Sequence, residues 1–418
     1  MKIGILSQWF DPEPGPAALP GALARALAAR GHEIQVVTGF PNYHEGKIAP
    51  GYDMSRRLEE VRDGIKIRRV ALYPSHSASI AGRLANYGSF GASALTSGVG
   101  AFKGMDGIWV SNSPVTVGMP MWRIAKLQHI PMVLHILDLW PDNILSSGLV
   151  KNPFAARTME NAVHRWNQSM YGRAEHIAGI SPGIVELLAS RGVPRKKLSY
   201  VPMWANEDAF FPSADISMRA SLGADNDSIV VLYAGTLGRT QDIETLIRAC
   251  IEYPETAPPI ECWIAGSGVE EDNLRREAAT QSKPNVNIRF LGRIPAAGMT
   301  SVMASADVHF VGLRDDSNSR ITMPSKIQAT MASAKPMIIA IPGDAENAVM
   351  KSGSGFRADP GSVTSVTAAL VDAAKSGRAS LQQMGLASRK CYETQFSLRA
   401  GSERIEELLL AAANKVTP

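Results

Sequence analysis

The sequence predicts an α/β protein built from two doubly wound parallel sheets. Three observations predict this fold: short apolar segments recur along the chain, helical segments lie between them, and glycine- or proline-rich loops follow several of them. A strand, a helix and a second strand in that order form a right-handed crossover between parallel strands. With 418 residues, the chain is long enough for two or three domains.

The first series of elements begins with a βαβ pattern. A buried strand is predicted at 3–6, a helix with leucine at every fourth position follows, and a second strand is predicted at 34–38. Further strands are predicted at 65–72, 107–110, 131–137 and 178–180. We assign residues 1–205 to this first Rossmann-like domain.

A second series follows a polar stretch at 212–228. Its predicted strands lie at 229–235, 260–265, 286–291, 308–313 and 337–341, and we assign residues 206–392 to this second Rossmann-like domain. The remainder, 393–418, contains an amphipathic helix that we expect to pack back on the first domain. In such folds ligands bind beyond the carboxyl ends of the strands, so we expect the site in the cleft between the domains.

Composition excludes several classes of protein. The hydrophobic fraction of 45% and the charged fraction of 20% are typical of a globular chain rather than a disordered one. The three cysteines form no Cys-x-x-Cys pair, so we expect neither a disulfide scaffold nor a structural zinc site. So few cysteines also favour a cytoplasmic location. The net charge of +4 is too small to indicate a nucleic-acid partner.

One segment suggests contact with a membrane surface. We expect neither a signal peptide nor a spanning helix, but residues 79–102 are rich in small and apolar residues and carry one charge. Basic residues lie close in sequence: Arg56, Arg57, Lys66, Arg68, Arg69 and Lys103. They could hold the helix against the inner leaflet, or the helix could be an ordinary part of the domain with solvated basic neighbours.

Two loops of the first domain carry candidate ligand groups. Gly15, in the loop before the first helix, could let backbone N–H groups surround an anion, and the loop is equally well explained as a proline-stiffened connection. The loop after the second strand contains Asn42, Tyr43 and His44, whose side chains could hydrogen-bond the hydroxyls of a sugar. Polar residues are common in loops, so this pattern alone indicates little.

A third loop follows the predicted strand at 131–137. Asp138 could act as a base, position a sugar or cap the following helix, and capping is the better explanation for Asp142. His135 lies within the apolar strand, where a histidine is more often a core residue than a catalyst.

The second domain contains two strand–glycine–helix elements that favour a diphosphate site. The first contains Gly235, Thr236, Gly238, Arg239 and Gln241, and the second contains Gly266 and Gly268. Glycines allow the backbone to approach phosphates, and Arg239 can bind their charge through two hydrogen bonds. Two such elements in one sheet, one of them with an arginine, favour a diphosphate site more strongly than either element alone.

Pro324, Ser325 and Lys326 form a third element before a predicted helix. Ser325 could be the N-cap of this helix, which would put Lys326 in its first turn, where the helix dipole also favours an anion. A solvated lysine is the alternative. Phosphate binding is the better interpretation, because Arg239 lies on a loop of the same sheet.

These motifs together resemble the bacterial family-four retaining glycosyltransferases. The resemblance rests on the ordered segments LSQWFDPE, ARGHEIQVVTGFPNYHEGKI, LDLWPDNILSSGL, YAGTLGRTQDIETLI, AGSGVEEDNL, FLGRIP and PSKIQATMASAKPMI. The branch that they resemble contains the N-acetylfucosaminyl transferases of surface-polysaccharide biosynthesis. The resemblance implies the GT-B fold, with two Rossmann-like domains, the donor nucleotide in the second and the acceptor in the first.

The resemblance also implies roles for individual residues. Arg239 and Lys326 would hold the donor diphosphate, while Asp138 and His135 would face the transferred sugar and the acceptor. Gly15 would lie near the diphosphate from the first domain. Further donor contacts would come from Gly235, Thr236, Gly238, Gln241, Gly266, Gly268, Pro324 and Ser325, and further acceptor contacts from Asn42, Tyr43 and His44.

The sequence departs from the family pattern at three places. Ala329 stands where family members carry a glutamate that binds the donor ribose, and Ile321 stands where many relatives have an earlier glutamate. Ala17 and Ala18 replace two adjacent glycines of the first loop. These changes imply altered donor choice or lost activity.

The lead hypothesis is a metal-independent hexosyltransferase that uses a nucleotide-sugar donor, and a UDP-linked N-acetylated or deoxy sugar fits the branch. No cofactor is expected, because no Asp-x-Asp motif lies on a strand-end loop. The acceptor would be a lipid-linked glycan precursor at the inner membrane face or a secondary metabolite. A nucleotide-sugar 2-epimerase of the same architecture is one alternative, and a catalytically inactive homologue that serves as a binding subunit is another.

Overall fold

The computed structural model describes residues 1–43, 46–75, 80–139, 153–225, 227–316 and 318–415. The chain forms two units, of which the first contains Met1–Pro202 and the segment from Leu398 onward, and the second contains Met203–Ser397. The transitions lie a few residues from the boundaries expected at 205/206 and 392/393.

The first unit is built on an eight-stranded sheet with the order β3-β4-β2-β1-β5-β6-β7-β8. The antiparallel edge strand β3 pairs with β4, and the other strands are parallel. The strands are β1 (Lys2–Leu6), β2 (Glu33–Gly39), β3 (Arg57–Arg62), β4 (Ile65–Val70), β5 (Gly107–Ser111), β6 (Met132–Ile136), β7 (His176–Gly179) and β8 (Leu198–Tyr200). The strand order reverses between β1 and β5, so the loops after these strands open at the switch point.

The helices of the first unit before the chain leaves it are α1 (Leu19–Ala29), α2 (Ile80–Ser93), α3 (Gly118–Leu127), α4 (Pro153–Arg173) and α5 (Pro182–Ser190). They form because apolar residues recur on one face, and α1 buries Leu23, Ala24 and Leu27 in this way.

The second unit contains a six-stranded parallel sheet with the order β11-β10-β9-β12-β13-β14. Its strands are β9 (Ile229–Ala234), β10 (Ile260–Ala265), β11 (Val286–Gly292), β12 (Val308–Gly312), β13 (Met337–Ala340) and β14 (Gly355–Arg357). Strands β9 and β10 are buried along nearly their whole length because helices cover both faces. Here the order reverses between β9 and β12.

The helices of the second unit are α6 (Ser217–Ser221), α7 (Ile243–Ile251), α8 (Glu271–Ala278), α9 (Ala296–Ser305), α10 (Ser325–Ala332), α11 (Asp344–Lys351) and α12 (Val363–Cys391). The last of these consists of two helices that meet at Gly377, whose φ of 69° is not helical. The two parallel-sheet α/β units confirm the predicted fold class.

The last helix, α13 (Leu398–Asn414), belongs to the first unit. Its buried face includes Ile405 and Leu409. On its polar side the carboxylate of Glu406 accepts hydrogen bonds from Arg30 Nε at 2.7 Å and His32 Nε2 at 2.6 Å, just after α1. Apolar contact and these charged hydrogen bonds hold the helix against the first unit.

Helix α2 covers most of the segment suggested for membrane contact, of which Ser79 lies outside the described residues. Irregular helical turns continue to Phe102, and Phe90 and Phe102 are fully buried. Leu84 is 57% exposed on the other side of the helix. The segment is therefore a domain helix on which Leu84 is the one large apolar side chain exposed among the described residues.

The basic cluster near α2 is partly neutralised, which corrects the alternative in which these six basic residues are merely solvated. Ion pairs join Lys66 to Glu33, Arg68 to Glu59 and Arg69 to Glu60. The Arg69 side chain is fully buried. Within the described ranges, no helix is both long and apolar enough to cross a bilayer.

Candidate functional site

The predicted donor elements meet at one edge of the second sheet. The loops after β9 and β10 and the first turn of α10, which follows β12, all leave the carboxyl ends of neighbouring strands. This edge is the switch point of the sheet, where ligands bind in open α/β folds.

Two glycines let the first two loops pack backbone against backbone. Gly235 donates its N–H to Ala265 O at 2.9 Å, and Gly266 donates to Gly292 O at 2.8 Å. Their φ angles are 149° and 140°, values that residues with a side chain rarely adopt. A Cβ atom on Gly266 would overlap the carbonyl oxygen of Gly235, so glycine is required by this contact.

Lys326 lies directly over the first glycine loop. A Cβ atom on Gly235 would overlap the Lys326 side chain and lie 2.8 Å from its Nζ. The ammonium group donates a hydrogen bond to Tyr233 Oη at 2.6 Å and lies 4.2 Å from the centre of the Tyr233 ring. Burial lowers the pKa of Lys326 to about 8. The site therefore holds a cation whose charge is only partly compensated by a phenol.

Arg239 begins a short helical turn after the same loop and is directed into a different, charged cavity. Its Nε donates to Glu270 Oε1 at 2.9 Å, and its side chain is 80% exposed. The cavity has a volume of about 260 Å³ and is also lined by Glu244, Glu277 and Arg314. Glu270 therefore engages the Nε–H group of Arg239 and competes with a phosphate for its charge.

The remaining predicted donor residues lie around these two cations. Helix α10 begins at Ser325 with Pro324 in the N-cap position, so Ser325 is not the cap that the sequence suggested. Thr236 is exposed, and its carbonyl accepts a hydrogen bond from Tyr233 at 2.6 Å. A Cβ atom on Gly238 would lie 2.6 Å from Gln241 Oε1, so this amide covers Gly238.

Gly268 and Ala329 complete the surroundings. Gly268 lies against the Leu237 backbone, where a Cβ atom would overlap the Leu237 carbonyl. Ala329 is buried on α10 and packs in an apolar cluster with Val230, Leu232 and Trp263. The position of the family glutamate therefore offers no polar group to a ligand in this chain.

In the first unit, Glu13 organises the loop that carries the predicted acceptor residues. Its buried carboxylate accepts hydrogen bonds from the backbone N–H groups of Asn42 at 2.6 Å and Tyr43 at 3.0 Å. Burial raises the pKa of Glu13, and these N–H groups together with Arg69 oppose that rise. The carboxylate thereby fixes the loop after β2 beneath the loop after β1.

The Asn42 side chain belongs to a buried amide network, which corrects its assignment to the acceptor. Its Nδ2 donates to Phe40 O at 2.8 Å, and its Oδ1 accepts from Asn86 Nδ2 at 3.2 Å. Asn86 on α2 also accepts from Gln8 Nε2 at 2.5 Å. With 2% exposure, Asn42 orders the site instead of contacting a ligand.

His135 is also placed in the core, which corrects its assignment as a catalytic residue. Its ring is fully buried, and Nε2 lies 2.8 Å from Val201 O. Burial lowers the pKa of His135 to about 4, so the imidazole is neutral at ordinary pH. A side chain without exposed surface cannot touch a substrate.

Asp138 is the candidate residue that does reach the edge of the first sheet. Asn112 fixes its backbone, since Asn112 Nδ2 donates to Asp138 O at 2.8 Å. Burial raises the pKa of the Asp138 carboxyl, and a hydrogen bond with Ser113 opposes the rise. The carboxylate also interacts electrostatically with the phenols of Tyr43 and Tyr87.

Tyr87 is a site residue that sequence reasoning missed, because α2 suggested membrane contact. It follows Asn86, and an amide among the small and apolar residues of this segment was the signal available in the sequence. Tyr43 is held by an edge-to-face contact with Trp9, with 5.3 Å between the ring centres. Two phenols and a carboxylate are groups that can hydrogen-bond sugar hydroxyls.

The sequence predicts that three further candidate residues lie in loops of the first part of the chain: Gly15, His44 and Asp142. Gly15 is exposed and has a φ of 62° at the start of a short helical turn. His44 and Asp142 lie outside the described residues. In the part of the chain that the structure describes, no group of three or more His, Cys, Asp or Glu side chains could hold a metal ion.

The fold and the two strand-end sites define a two-domain α/β protein of the GT-B class. The Glycosyl transferase 4-like domain family matches residues 15–204, and the Glycosyl transferases group 1 family matches residues 215–390. Together they account for most of the chain, which therefore belongs to the family-four, GT-B glycosyltransferases.

Individual relatives agree with this assignment. The chain is 24% identical over 79% of its length to the putative colanic acid biosynthesis glycosyl transferase WcaI of Escherichia coli, covering 81% of that protein. HepE of Anabaena, solved with UDP and glucose, superposes with a TM-score of 0.69 at 16% identity, over 98% of this chain and 100% of that one. Sucrose-phosphate synthase from Thermosynechococcus elongatus gives 0.68 at 18% identity, over 98% of each chain.

Proposed function

We propose that the protein is a retaining hexosyltransferase of the branch that contains N-acetylfucosaminyl transferases. It moves a sugar from a UDP-linked N-acetylated or deoxy donor to an acceptor hydroxyl in the assembly of a cell-surface polysaccharide or glycolipid. The name of WcaI supports the polysaccharide context, and the UDP and glucose in the HepE structure support the donor class.

The observation that carries the donor proposal is the position of Lys326 over the Gly235 loop at the switch point. A partly buried ammonium with one phenol partner is a strong site for an anion that brings further negative charge. The first turn of α10 adds backbone N–H groups and the positive end of the helix dipole. Arg239 adds a second cation, for whose charge the diphosphate competes with Glu270.

The proposed reaction needs stabilisation of the departing diphosphate above all. Lys326, Arg239 and the first turn of α10 provide positive charge where negative charge develops, so we propose a metal-independent enzyme without a cofactor. No covalent nucleophile is identified, and we infer attack by the acceptor on the same face of the sugar, assisted by the leaving phosphate. Asp138, with Tyr43 and Tyr87 beside it, would hold the sugar hydroxyls.

The proposed acceptor is a lipid-linked glycan at the inner face of the cytoplasmic membrane. The exposed Leu84 on α2, one position after Arg83, provides a small apolar and basic surface in the first unit. Arg57 and Lys103 are also exposed in this unit. A peripheral protein held in this way would meet its acceptor at the leaflet.

Donor binding and turnover test the proposal with a matched pair of lysine variants. Lys335 is also partly buried in the second unit with a pKa lowered to about 8, but its Nζ donates to Ala304 O and Ala306 O, away from the glycine loops. Lys326→Met is expected to weaken UDP binding by about 1.5–3 kcal/mol, the strength of a charged hydrogen bond, while Lys335→Met leaves it unchanged.

Turnover of UDP-sugars should survive a chelator. Loss of activity in chelator that magnesium or manganese restores would contradict the metal-free mechanism. Donor hydrolysis without acceptor separates the enzyme from an inactive homologue, and interconversion of the free nucleotide sugar would instead identify a 2-epimerase. Equal UDP affinity in both lysine variants would remove the donor site from Lys326.

A further inference from the structure

The ammonium group of Lys326 depends on a single side chain in the described part of the second unit. Its Nζ donates to Tyr233 Oη at 2.6 Å and lies 4.2 Å from the centre of that ring. No ion pair with a carboxylate is found for Lys326 among the described residues. Both the hydroxyl and the face of the ring therefore act on the same cation.

Tyr233 is itself held in one position. It is the penultimate residue of β9, its side chain is fully buried, and its Oη donates to Thr236 O at 2.6 Å. Since the hydroxyl hydrogen is committed to this carbonyl, an oxygen lone pair is directed at Lys326. A chain of two hydrogen bonds thus joins Lys326, Tyr233 and the loop that contains Gly235.

Burial explains why this support matters. A buried ammonium loses its hydration, and the pKa of Lys326 falls to about 8 as a result. An acceptor at 2.6 Å favours the charged form. Without it, a larger fraction of Lys326 would be neutral near pH 8, and a neutral amine cannot offset the charge of a diphosphate.

From these contacts we propose that Tyr233 is a positioning residue that keeps Lys326 charged and directed at the donor diphosphate. The inference rests on the proposed function, because it assigns Tyr233 a role at the same site. Tyr233 acts through Lys326 and the Thr236 carbonyl and need not touch the donor itself.

Tyr253 provides a matched control in the same unit. It is also fully buried, and its Oη donates to the backbone carbonyl of Pro258 at 2.8 Å. It makes no hydrogen bond to Lys326. Tyr233→Phe and Tyr253→Phe therefore remove the same atom from two buried rings, of which only one supports the lysine.

The experiment is titration of the full-length protein with UDP by calorimetry between pH 6.5 and 9.5. Wild-type affinity is expected to fall as the pH rises through about 8, the pKa of Lys326. Tyr233→Phe should lower the UDP affinity about tenfold at pH 7.5. In this variant the affinity should begin to fall at a lower pH than in the wild type, and the loss relative to the wild type should be smaller at pH 6.5. Tyr253→Phe should match the wild type at every pH.

The possible results separate the inference from the proposed function. A Tyr233→Phe variant with wild-type affinity and pH profile, or with the same loss at every pH, overturns the positioning role. If Lys326→Met also binds UDP like the wild type, the proposed donor site fails; if Lys326→Met loses binding, only the inference fails.

A double variant covers the case in which Tyr233→Phe does not fold. Tyr233→Phe/Lys326→Met removes both partners and leaves an apolar pair, which costs less than one unpaired buried group. Recovery of the fold in the double variant would show that the phenol serves the lysine. An unfolded double variant would show that Tyr233 serves the chain fold instead, and the positioning role would be rejected.

Discussion

Lys326 combines a proposed role in donor binding with an energetic cost to the folded chain. Its pKa is about 8 in the folded protein, against 10.5 for an unperturbed lysine. Between these values the unfolded chain binds more protons than the folded one, so the free energy of unfolding rises with pH through this window. At neutral pH Lys326 is charged in both states, and the hydration that its ammonium loses on folding lowers the free energy of unfolding.

We therefore predict that Lys326→Met raises the stability of the ligand-free protein at pH 7. The expected gain is about 1–3 kcal/mol, because a shift of this size corresponds to roughly 3 kcal/mol and the lost contact with Tyr233 reduces it. The gain should shrink between pH 8 and pH 10.5 and vanish only above that range, where the wild-type lysine is neutral in both states. Urea unfolding at pH 7 and pH 10 measures it, and a destabilised variant at pH 7 would contradict the prediction.

At the carboxyl edge of the second sheet, sequence motifs identified the candidate residues but not which of them are in contact. Gly235 and Lys326 were identified from separate segments, and the structure brings them into contact. Tyr233 was missed because a tyrosine within an apolar strand gives no sign of which side chain its hydroxyl meets. The burial of His135 and Asn42 could not be predicted either, because burial depends on neighbours that are distant in sequence.

Helix α2 shows how one element can order a site that it barely lines. Asn86 on this helix is almost fully buried and links the loop after β1, through Gln8, to the loop after β2, through Asn42. Its Nδ2 also donates to Tyr73 O at 2.7 Å. One amide thus connects three segments beneath the proposed acceptor site.

We predict that Asn86→Ala destabilises the protein by about 1–3 kcal/mol, because it leaves buried partners on Gln8 and Asn42 without hydrogen bonds. Thr96→Ala is the control, since its exposed hydroxyl bonds only the carbonyls of its own helical segment. Thermal unfolding measures both variants. UDP affinity should not change in either, because the proposed donor residues lie in the second unit; equal melting temperatures for the two variants would refute the network's role.

Most elements could be predicted because their apolar patterns are strong. Strand β10 occupies the predicted 260–265, and α13 lies within the predicted 393–418. Strand β3 was missed because it is an edge strand in which exposed and half-buried residues alternate, and charged residues occupy positions of both kinds. The short strands β8 and β14 contain three residues each, too few for a periodic signal.

At the scale of the whole molecule, charge bears on the proposed peripheral location. The net charge of +4 is small, and ion pairs consume part of the basic cluster beside α2. Binding to an anionic surface must then combine the remaining basic residues, at about 1 kcal/mol each, with burial of the apolar Leu84.

We predict that the protein sediments with anionic vesicles at low salt and not with neutral ones. Leu84→Glu should weaken this binding, because it replaces the exposed apolar side chain with a negative charge. Leu386→Glu is the control, since Leu386 has a similar exposure of 60% on α12 in the second unit. High salt should release the wild type, and equally negligible binding to both vesicle types would show that the protein does not use a lipid surface.

The chain leaves the first unit at Pro202 and returns to it at Leu398. During synthesis, the surface that receives α13 is therefore made long before the helix that covers it. At 5–20 residues per second, the ribosome needs about 10 to 40 s to produce the intervening unit. For that time the N-terminal part of the nascent chain exposes apolar surface around α1 and β5, a site for a chaperone or for misassembly. The second unit, continuous in sequence, can complete its fold first.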